Sequence, residues 1–359
     1  MEHKDIKKVM DLASPVSKLP KTRNIGDIKN LEPGERFRAV VALTAAKQRR
    51  DKNDRIFWEV SVMDSFGNLE AKVWSDAKWW NAKNGNKEPM VAENINPQED
   101  LLNKPVGVIG VVTEFKGRLQ YNFNEVYLLD PGKHPISSFL QKSPVPLAEM
   151  EKNFWSIVEK CGDPVKGFLH FVFRGDLWET FRDAPAAVSH HHAYVHGLLE
   201  HTLAVASSAI AIGESYVARD FPVDMDTLIA GALLHDLGKV EAYSLEPFPS
   251  MTLKGTVIDH IPLGYARFIN LASEYDLCED VTLAVGHIII SHHGRKEYGS
   301  PVLPATPEAL IVSMADELDF ILHCWEATGV QGDSEITDFS YSAQRRFWKR
   351  SATKDKKGE

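Results

Sequence analysis

The sequence contains little cysteine and no long apolar run. Its three cysteines, Cys161, Cys278 and Cys324, are far apart and form no CxxC pair, which argues against a disulfide framework and against a cysteine zinc site. No apolar run approaches the roughly 18 residues that a membrane helix needs, and the opening MEHKDIKKVM lacks the apolar segment of a secretion signal. We therefore expect a soluble protein in a reducing, cytoplasmic setting, with no membrane partner.

Low-complexity tracts and internal repeats are also absent, and 359 residues suit two domains that each bury a core. The charge is unevenly distributed along the chain. Residues 1–140 carry 22 Lys and Arg against 19 Asp and Glu (net +3), residues 141–340 carry 12 against 29 (net −17), and residues 341–359 carry 7 against 2 (net +5). The acidic middle suits bound cations, and a polyanionic substrate is expected to bind the basic ends.

The first part of the chain has the alternating pattern of β-strands. Residues 35–49 and 55–74 predict three strands, residues 105–130 predict two more, and the stretch that contains Trp79 and Trp80 predicts a helix between the third and fourth strands. This order fits an OB-fold, a small Greek-key barrel that commonly binds single-stranded nucleic acid or oligosaccharide. The fold alone does not establish nucleic-acid binding.

Basic and aromatic residues of this barrel are candidates for contacts with nucleic acid. Residues 47–55 predict a basic loop between the first two strands, and aromatic side chains on a strand can stack on bases. Phe57 and Trp58 must face opposite sides of their strand, so one of them is expected in the core. The residues predicted to contact nucleic acid are Lys47, Arg49, Arg50, Arg55, Trp58, Phe115 and Tyr121.

The remaining segments complete the predicted organisation. Four prolines in residues 131–150 indicate a linker, and helices are expected at 150–160, 164–173 and 177–182. The predicted domains are an N-terminal segment 1–21, an OB-fold domain 22–130, the linker 131–150, a helical domain 151–340 and a basic tail 341–359. The aromatic and basic residues near the tail either contact RNA or pack Phe347 and Trp348 on the helical domain.

Seven residues that bind divalent metal occur in order along the second half of the chain. Neutral imidazole nitrogens and carboxylate oxygens bind borderline to hard divalent ions. Seven of them exceed what one ion takes from protein while an open position remains, so the pattern indicates a two-metal hydrolytic site. These residues are His201, His235, Asp236, His260, His292, His293 and Asp316.

The segments around these residues support a metal site. The apolar run 228–240 reaches His235 and Asp236 just before Gly238, which predicts a buried helix that delivers two ligands at its end. Asp316 lies within an apolar helical pattern, where an unpaired carboxylate would be costly to bury. For the remaining histidines near the site we favour roles behind the ligands, at the substrate or in solvent. They are His190, His191, His192, His196, His287 and His323.

This order of residues resembles the HD-domain superfamily of metal-dependent phosphohydrolases, over about residues 185–325. The resemblance implies one ion on His201, His235, Asp236 and Asp316, and a second ion, bridged by Asp236, on His260, His292 and His293. It also implies catalytic roles for Asp236 and for Lys239, which matches a phosphate-facing lysine of the family. An exposed cation at a helix end is the alternative for Lys239.

A barrel of the OB type followed by an all-α HD domain resembles the YhaM-type 3′-5′ exoribonucleases of bacteria. This resemblance covers about residues 22–350 and includes the elements at 191–202, 259–261, 291–294 and 338–350. His196 departs from the family, whose members tend to have a small residue there. The resemblance implies manganese-type dependence, although Fe, Co and Zn also accept His and Asp ligands.

The activity implied by the resemblance is removal of nucleoside 5′-monophosphates from the 3′ end of single-stranded RNA, with single-stranded DNA as an alternative substrate. The attacking water would be activated by two metal ions. Other functions remain open: an HD phosphodiesterase or phosphohydrolase acting on small nucleotides, or a single-strand binding module. The GYP signature of the cyclic-dinucleotide enzymes is absent, because IPLGYAR follows His260. Assembly into a homo-oligomer is left open too.

Overall fold

The structure is a computed structural model that describes residues 20–92, 95–187, 193–246, 248–330 and 334–350. The chain divides into two compact units, Met1–Lys142 and Ser143–Glu359. The division falls within the segment that its prolines identified as a linker. Among the described residues, no helix is both long enough and apolar enough to span a membrane.

In the described part of the first unit, the strands form a closed β-barrel, accompanied by short helices. Its elements are α1 (Ile25–Lys29), β1 (Arg36–Arg50), β2 (Ile56–Asp64), β3 (Gly67–Asn81), β4 (Glu88–Met90), α2 (Pro97–Asp100), β5 (Pro105–Phe115) and β6 (Arg118–Leu128). The strands lie in the order β2-β1-β5-β6-β3-β4, and pairing of β2 with β3 closes the ring. Strand β3 pairs with β6 in parallel, and the other strand pairs in the described part of the barrel are antiparallel. This five-stranded Greek-key barrel with a small added strand is the predicted OB-fold.

Alternation along β2 decides which aromatic side chain enters the barrel. Val60 and Val62 are buried in the barrel core, and Trp58 packs partly buried against the same core. Phe57 has the opposite parity, so it lies on the outer face, where its ring stacks on that of Trp74 with centroids 4.6 Å apart. The predicted opposition of Phe57 and Trp58 is therefore confirmed, with Trp58 on the core side.

The predicted helix between the third and fourth barrel strands is misplaced. Trp79 and Trp80 lie in β3 rather than in a helix, and they pair with Met90 and Pro89 of β4. Trp79 belongs to the barrel core, so burial in a sheet overrides the helical expectation. The helix between the third and fourth barrel strands is α2, which begins well after the tryptophans.

The predicted basic loop at 47–55 is also shorter than expected. Lys47 through Arg50 form the end of β1, and Lys47 lies opposite Glu59 of β2. Only residues 51–55 connect the two strands. Lys47, Arg49 and Arg50 therefore stand on a strand, whereas Arg55 lies in the connection.

The second unit is helical. Its helices are α3 (Leu147–Val158), α4 (Val165–Val172), α5 (Gly175–Asp183), α6 (Gly197–Val217), α7 (Met225–Leu234), α8 (Lys239–Ala242), α9 (Leu253–Ile258), α10 (His260–Tyr275), α11 (Glu279–Ser291) and α12 (Pro307–Ala327). A two-stranded hairpin, β7 (Tyr243–Ser244) with β8 (Ser250–Met251), lies between α8 and α9. The three helices predicted from residue 150 onward are confirmed as α3, α4 and α5.

Helix α7 lies at the centre of this unit and packs against α6, α11 and α12. Every residue from Thr227 to Leu234 is buried, as expected for a helix that is apolar on all sides. Full burial of a leucine such as Leu233 contributes roughly 1.5–3 kcal/mol. A Cβ on Gly231 would lie 2.3 Å from Cδ1 of Ile288, so glycine permits the close packing of α7 on α11. Helix α7 is thus a fixed base for the residues that follow it.

The described part of the tail packs on the end of α12. The indole nitrogen of Trp325 donates to the carbonyl of Trp348 (3.4 Å), and Nζ of Lys349 donates to the carbonyl of Glu326 (3.0 Å). Phe347 is half-buried, whereas the Trp348 side chain is 58% exposed. The tail is therefore held through its backbone and Lys349, and Trp348 does not enter the helical core.

Candidate metal centre and nucleic-acid face

Helix α7 ends at the first two candidate ligands. His235 caps its C-terminus, and Nδ1 of His235 donates to the carbonyl of Ala232 (2.8 Å). Both His235 and Asp236 are 1% exposed. Helices α6, α10, α11 and α12 supply the other side chains, which the helical core therefore holds in place.

The histidine side chains share one arrangement that prepares them as ligands. Each ring has Nδ1 within 2.6–2.8 Å of a carboxylate or carbonyl oxygen, and Nδ1 must carry a hydrogen to make such a bond. Nε2 of the neutral ring then has a free lone pair. The partners are Asp319 for His201, Ala232 for His235, Asp259 for His260, Ile289 for His292 and Tyr298 for His293.

The first group of ligand atoms surrounds Nε2 of His201. This nitrogen lies 3.3 Å from Asp236 Oδ2, 3.2 Å from Asp316 Oδ1 and 3.3 Å from Nε2 of His235. Nε2 of His235 lies 3.2 Å from Asp236 Oδ2. Two facing ring nitrogens at this distance require a proton or a metal ion between them.

The second group faces the other oxygen of Asp236. Oδ1 of Asp236 lies 3.6 Å from Nε2 of His260 and 3.6 Å from Nε2 of His292. The ligand atoms of His260, His292 and His293 all lie within 4.8 Å of one another. The structure therefore brings all seven predicted ligands together, with Asp236 between two groups.

The spacing of these atoms fits divalent cations. Nitrogen and oxygen ligands at about 2.0–2.2 Å from one ion lie roughly 3.0–3.6 Å from each other. Asp236 Oδ1, His260 Nε2 and His292 Nε2 are buried and have no hydrogen-bond partner among the described residues, although an unpaired buried polar atom is costly. A bound cation would satisfy all three atoms, so these residues could hold metal.

The electrostatics of the first group favour a positive charge. Burial alone lowers the pKa of His201, but its contacts with Asp236, Asp316 and Asp319 raise that pKa well above its ordinary value. Burial alone raises the pKa of Asp236 and Asp316, yet Lys239 beside Asp236 and His201 beside Asp316 hold both values below the ordinary range. Both carboxyl groups are therefore charged and can bind a cation.

Two histidines of the second group, His292 and His293, are held in the neutral form. Burial, together with the charge of neighbouring His293, lowers the pKa of His292 to about 3. Burial also lowers the pKa of His293. Neutral imidazole is the form that binds metal, so these two rings are available as ligands at ordinary pH.

Lys239 lies inside the site and is not an exposed helix-end cation. Its side chain is buried, and Nζ lies 2.6 Å from Asp236 Oδ2. Burial lowers the pKa of Lys239, but the charge of Asp236 outweighs burial and raises it. The ammonium group is therefore a fixed positive charge beside the shared carboxylate.

Two of the weaker histidine candidates have structural partners. His196 begins α6 with φ of +68°, and its Nδ1 donates to the carbonyl of Arg182 (3.0 Å). Nε2 of His287 accepts from the backbone N–H of Ala305 (2.9 Å), which ties the 299–306 loop to α11. His323 is half-buried on α12. His190, His191 and His192 lie outside the described residues.

Sequence reasoning missed the two carboxylates behind the ligands. Oδ2 of Asp319 accepts from Nδ1 of His201 at 2.7 Å, and Oδ1 of Asp259 accepts from Nδ1 of His260 at 2.6 Å. A signal for each exists in the chain, since Asp319 follows Asp316 by almost one helical turn and Asp259 precedes His260 directly. Such partners orient the ring and increase its basicity.

On the barrel, the structure separates the predicted nucleic-acid residues. A groove of about 1370 Å³ is lined by Lys47, Lys72, Gln120 and Tyr121, among other residues. Tyr121 is half-buried against the barrel core, and Phe115 is 60% exposed at the end of β5. Of the seven predicted residues, the groove therefore brings together Lys47 and Tyr121.

The three predicted arginines are paired with acidic side chains. Arg49 lies 2.9 Å from Glu59, Arg50 lies 2.9 Å from Asp54, and Arg55 lies 2.9 Å from Asp51. Exposed ion pairs of this kind are weak, at about 0–1 kcal/mol, so a phosphate can displace the carboxylate. The pairs nonetheless reduce the positive potential that the sequence alone suggested.

An aromatic pair stands on the outer face of the barrel. Trp74 stacks on Phe57 and donates from its indole nitrogen to Oδ1 of Asn122 at 2.7 Å. Nζ of Lys72 lies 5.3 Å from the centre of the Trp74 ring. This arrangement fixes the orientation of an aromatic surface beside a cation.

Comparison with known proteins agrees with the two-unit architecture. The family model of the HD domain matches residues 198–321, which include all seven candidate ligands. The chain is 29% identical over 290 residues to the 3′-5′ exoribonuclease YhaM of Bacillus subtilis strain 168, and the match covers 80% of this chain and 86% of that protein.

Two solved structures are also similar. The second OB-fold domain of replication protein A from Methanococcus maripaludis is 14% identical, with a TM-score of 0.20 over 30% of this chain and 94% of that one. A protein of Pyrococcus furiosus is 16% identical, with a TM-score of 0.28 over 42% of this chain and 77% of that one. These scores are too low to carry an argument, so the barrel assignment rests on strand order. The chain thus matches the HD-domain model over residues 198–321, has an N-terminal barrel with the strand order of an OB-fold, and is similar to YhaM over four fifths of its length.

Proposed function

We propose that this protein is a metal-dependent 3′-5′ exoribonuclease that hydrolyses phosphodiester bonds of single-stranded RNA and releases nucleoside 5′-monophosphates. The name of the Bacillus subtilis relative and the HD domain support the activity. The OB-type barrel supports a polymeric substrate over a small nucleotide, because a mononucleotide hydrolase does not need a second binding unit.

The observation that carries this proposal is the position of Asp236 between two groups of ligand atoms. Its Oδ2 faces His201 and His235, and its Oδ1 faces His260 and His292. One carboxylate that presents its two oxygens to separate imidazole groups is suited to two neighbouring cations. We infer that His201, His235, Asp236 and Asp316 hold one cation, and that Asp236, His260, His292 and His293 hold the other.

Two such cations would supply a hydroxide near neutral pH and would stabilise negative charge on the phosphoryl oxygens. The protein supplies the geometry: Asp236 fixes the separation of the two ligand groups, and buried helix ends hold the histidines. The ammonium group of Lys239, next to Asp236 Oδ2, adds positive charge for the scissile phosphate. No protein nucleophile is needed.

Five imidazoles and two carboxylates suit several first-row metals. We propose manganese for both positions, in keeping with the resemblance to the exoribonuclease family, with Fe, Co and Zn as competitors for the same ligands. Neutral His292 and His293 bind metal without first losing a proton, whereas the raised pKa of His201 means that its ring gives up a proton when metal binds.

Single-stranded RNA fits the barrel better than a duplex does. The partly exposed ring of Trp74, which stacks on the buried Phe57, can stack only on an unpaired base, and each stacked base contributes about 1–3 kcal/mol. Lys47 and Lys72 line the adjacent groove, where they can contact phosphates. Base stacking and phosphate contacts are common to RNA and DNA, so single-stranded DNA is a second substrate to test.

The test is a time course with purified protein and Mn²⁺ on 5′-labelled single-stranded RNA, resolved at single-nucleotide steps. We expect a ladder that shortens from the 3′ end and disappears with EDTA. Intact RNA that is retarded on a native gel would contradict the proposal and favour a binding module. Intact RNA together with hydrolysis of a small phosphodiester would favour a small-nucleotide hydrolase.

A further inference from the structure

Asp259 has an unusual backbone conformation beside the metal centre. It joins α9 to α10 with φ of +74° and ψ of 162°, a combination that glycine adopts freely and other residues adopt at a cost. The side chain is 59% exposed, so packing against a core does not impose this conformation. The structure keeps a strained residue directly before the ligand His260.

The Asp259 side chain controls both the backbone and the ring of His260. Its Oδ1 accepts from the backbone N–H of His260 (2.6 Å) and from Nδ1 of the same residue (2.6 Å). One oxygen thereby fixes the first peptide of α10 and the direction of the imidazole. Nε2 of His260 then faces Asp236 Oδ1 at 3.6 Å.

Ordinary helix capping does not explain this geometry. Asn24, Thr252 and Thr306 also cap helices in this protein, and all three have negative φ, between −72° and −115°. Their side chains accept from an amide three residues further on. Asp259 instead accepts from the amide of its immediate neighbour, and of these four caps it is the one with a positive φ.

We propose that Asp259 is a positioning residue that presets His260 for the second cation, and that its strained backbone is retained for this purpose. This inference rests on the metal centre of the proposed function but not on the identity of the substrate. A glycine at residue 259 would relieve the backbone strain and remove the oxygen that holds the ring. In Asp259→Gly we therefore expect a lower affinity for the second cation and a stability of the metal-free protein that is not reduced.

The experiment measures Mn²⁺ binding by calorimetry and the thermal midpoint of metal-free protein for the full-length chain. In Asp259→Gly we expect a midpoint equal to or above that of the wild type, with binding of the second ion weakened on the order of 10–100-fold. Asp259→Asn keeps an oxygen that can accept both hydrogen bonds. Its Mn²⁺ affinity should therefore lie between the affinities of the wild type and Asp259→Gly. At saturating Mn²⁺, turnover of Asp259→Gly should recover toward the wild-type rate.

Asp276 provides a matched control at the other end of the same helix. It also has a positive φ, +62°, but caps the C-terminus of α10, away from the ligands. Asp276→Gly should raise the midpoint without changing Mn²⁺ affinity. The proposal is overturned if Asp259→Gly binds both ions as the wild type does, or if its midpoint falls below that of the wild type.

Different results would contradict the exoribonuclease proposal and the role of Asp259. A wild-type protein that binds two Mn²⁺ ions but leaves RNA intact would contradict the exoribonuclease proposal, and the role of Asp259 would still be decided by the binding data. A wild type that binds fewer than two ions would overturn the metal centre and the role of Asp259 together.

Discussion

Gly238 and Gly264 pack backbone against backbone. A Cβ on Gly238 would lie 2.4 Å from the amide nitrogen of Gly264 and 1.9 Å from the carbonyl oxygen of His260. This contact sets the short segment after Asp236 against the start of α10. The shared carboxylate and the ligand His260 are thereby brought to opposite sides of one small volume.

Gly238→Ala should therefore damage the site without removing any ligand. The backbone of Gly238 is in the right-handed helical region, so alanine is allowed there and only the clash opposes it. Because the atoms it meets are backbone, we expect destabilisation of about 1–3 kcal/mol and weaker Mn²⁺ binding. Chemical denaturation and metal titration measure the two effects. Gly329→Ala is the control, since a Cβ there meets nothing within 4 Å; equal behaviour of the two variants would refute the packing argument.

The two ligand groups should be separable by substitution. Asp316→Asn removes a charged candidate ligand close to His201 (3.2 Å) and His235 (4.0 Å), and His293→Ala removes a ring close to His260 and His292. Each variant is expected to hold about one Mn²⁺ per chain and to lose most hydrolysis, because the proposed reaction uses two cations. Metal analysis after dialysis gives the count. Loss of both ions in both variants would mean that the groups do not act as separate sites.

Asp319 should matter for metal affinity more than for the reaction itself. Its Oδ2 accepts from Nδ1 of His201, which fixes the ring that faces Asp236 and Asp316. Asp319→Ala is expected to weaken Mn²⁺ binding roughly 10–100-fold and to recover much of its turnover at high Mn²⁺. A dependence of turnover on Mn²⁺ identical to that of the wild type would argue against this role.

Trp74 should contribute to RNA binding. Loss of one stacked base in Trp74→Ala is expected to weaken binding of a long single strand by about 1–3 kcal/mol, or roughly 5- to 150-fold. Hydrolysis of a dinucleotide should change little, because Trp74 is on the barrel unit. Phe66→Ala is the matched control, since Phe66 is 66% exposed at the turn between β2 and β3. Equal affinity of both variants would exclude Trp74 as a stacking surface.

The helical unit was largely predictable from the sequence, because its ligands lie in long apolar patterns. The run that ends at His235 and Asp236 predicts a buried helix, and α7 is buried throughout. The two carboxylates behind the ligands were not predicted. Predicting the role of Asp319 would have required knowing which face of α12 is turned toward His201. Predicting the role of Asp259 would have required knowing its backbone conformation, which its residue type does not indicate.

The barrel was less predictable in detail. Polar residues Ser75 and Asp76 interrupt the alternation of β3, and the pairing with β6 shifts between Val73 and Lys78. The sequence pattern around Trp79 and Trp80 therefore does not predict a strand. The pairing of Arg49 with Glu59 also depends on the approach of β2 to β1, which charge counting along the chain cannot reveal.

The central claim is that Asp236 serves both cations. The most direct measurement is the number of Mn²⁺ ions held by the wild type and by Asp236→Asn, with the same samples assayed on labelled RNA. We expect two ions in the wild type, loss of both at micromolar Mn²⁺ in the variant, and a fall in hydrolysis of more than about 100-fold. An Asp236→Asn protein that keeps two ions and normal turnover would contradict the account.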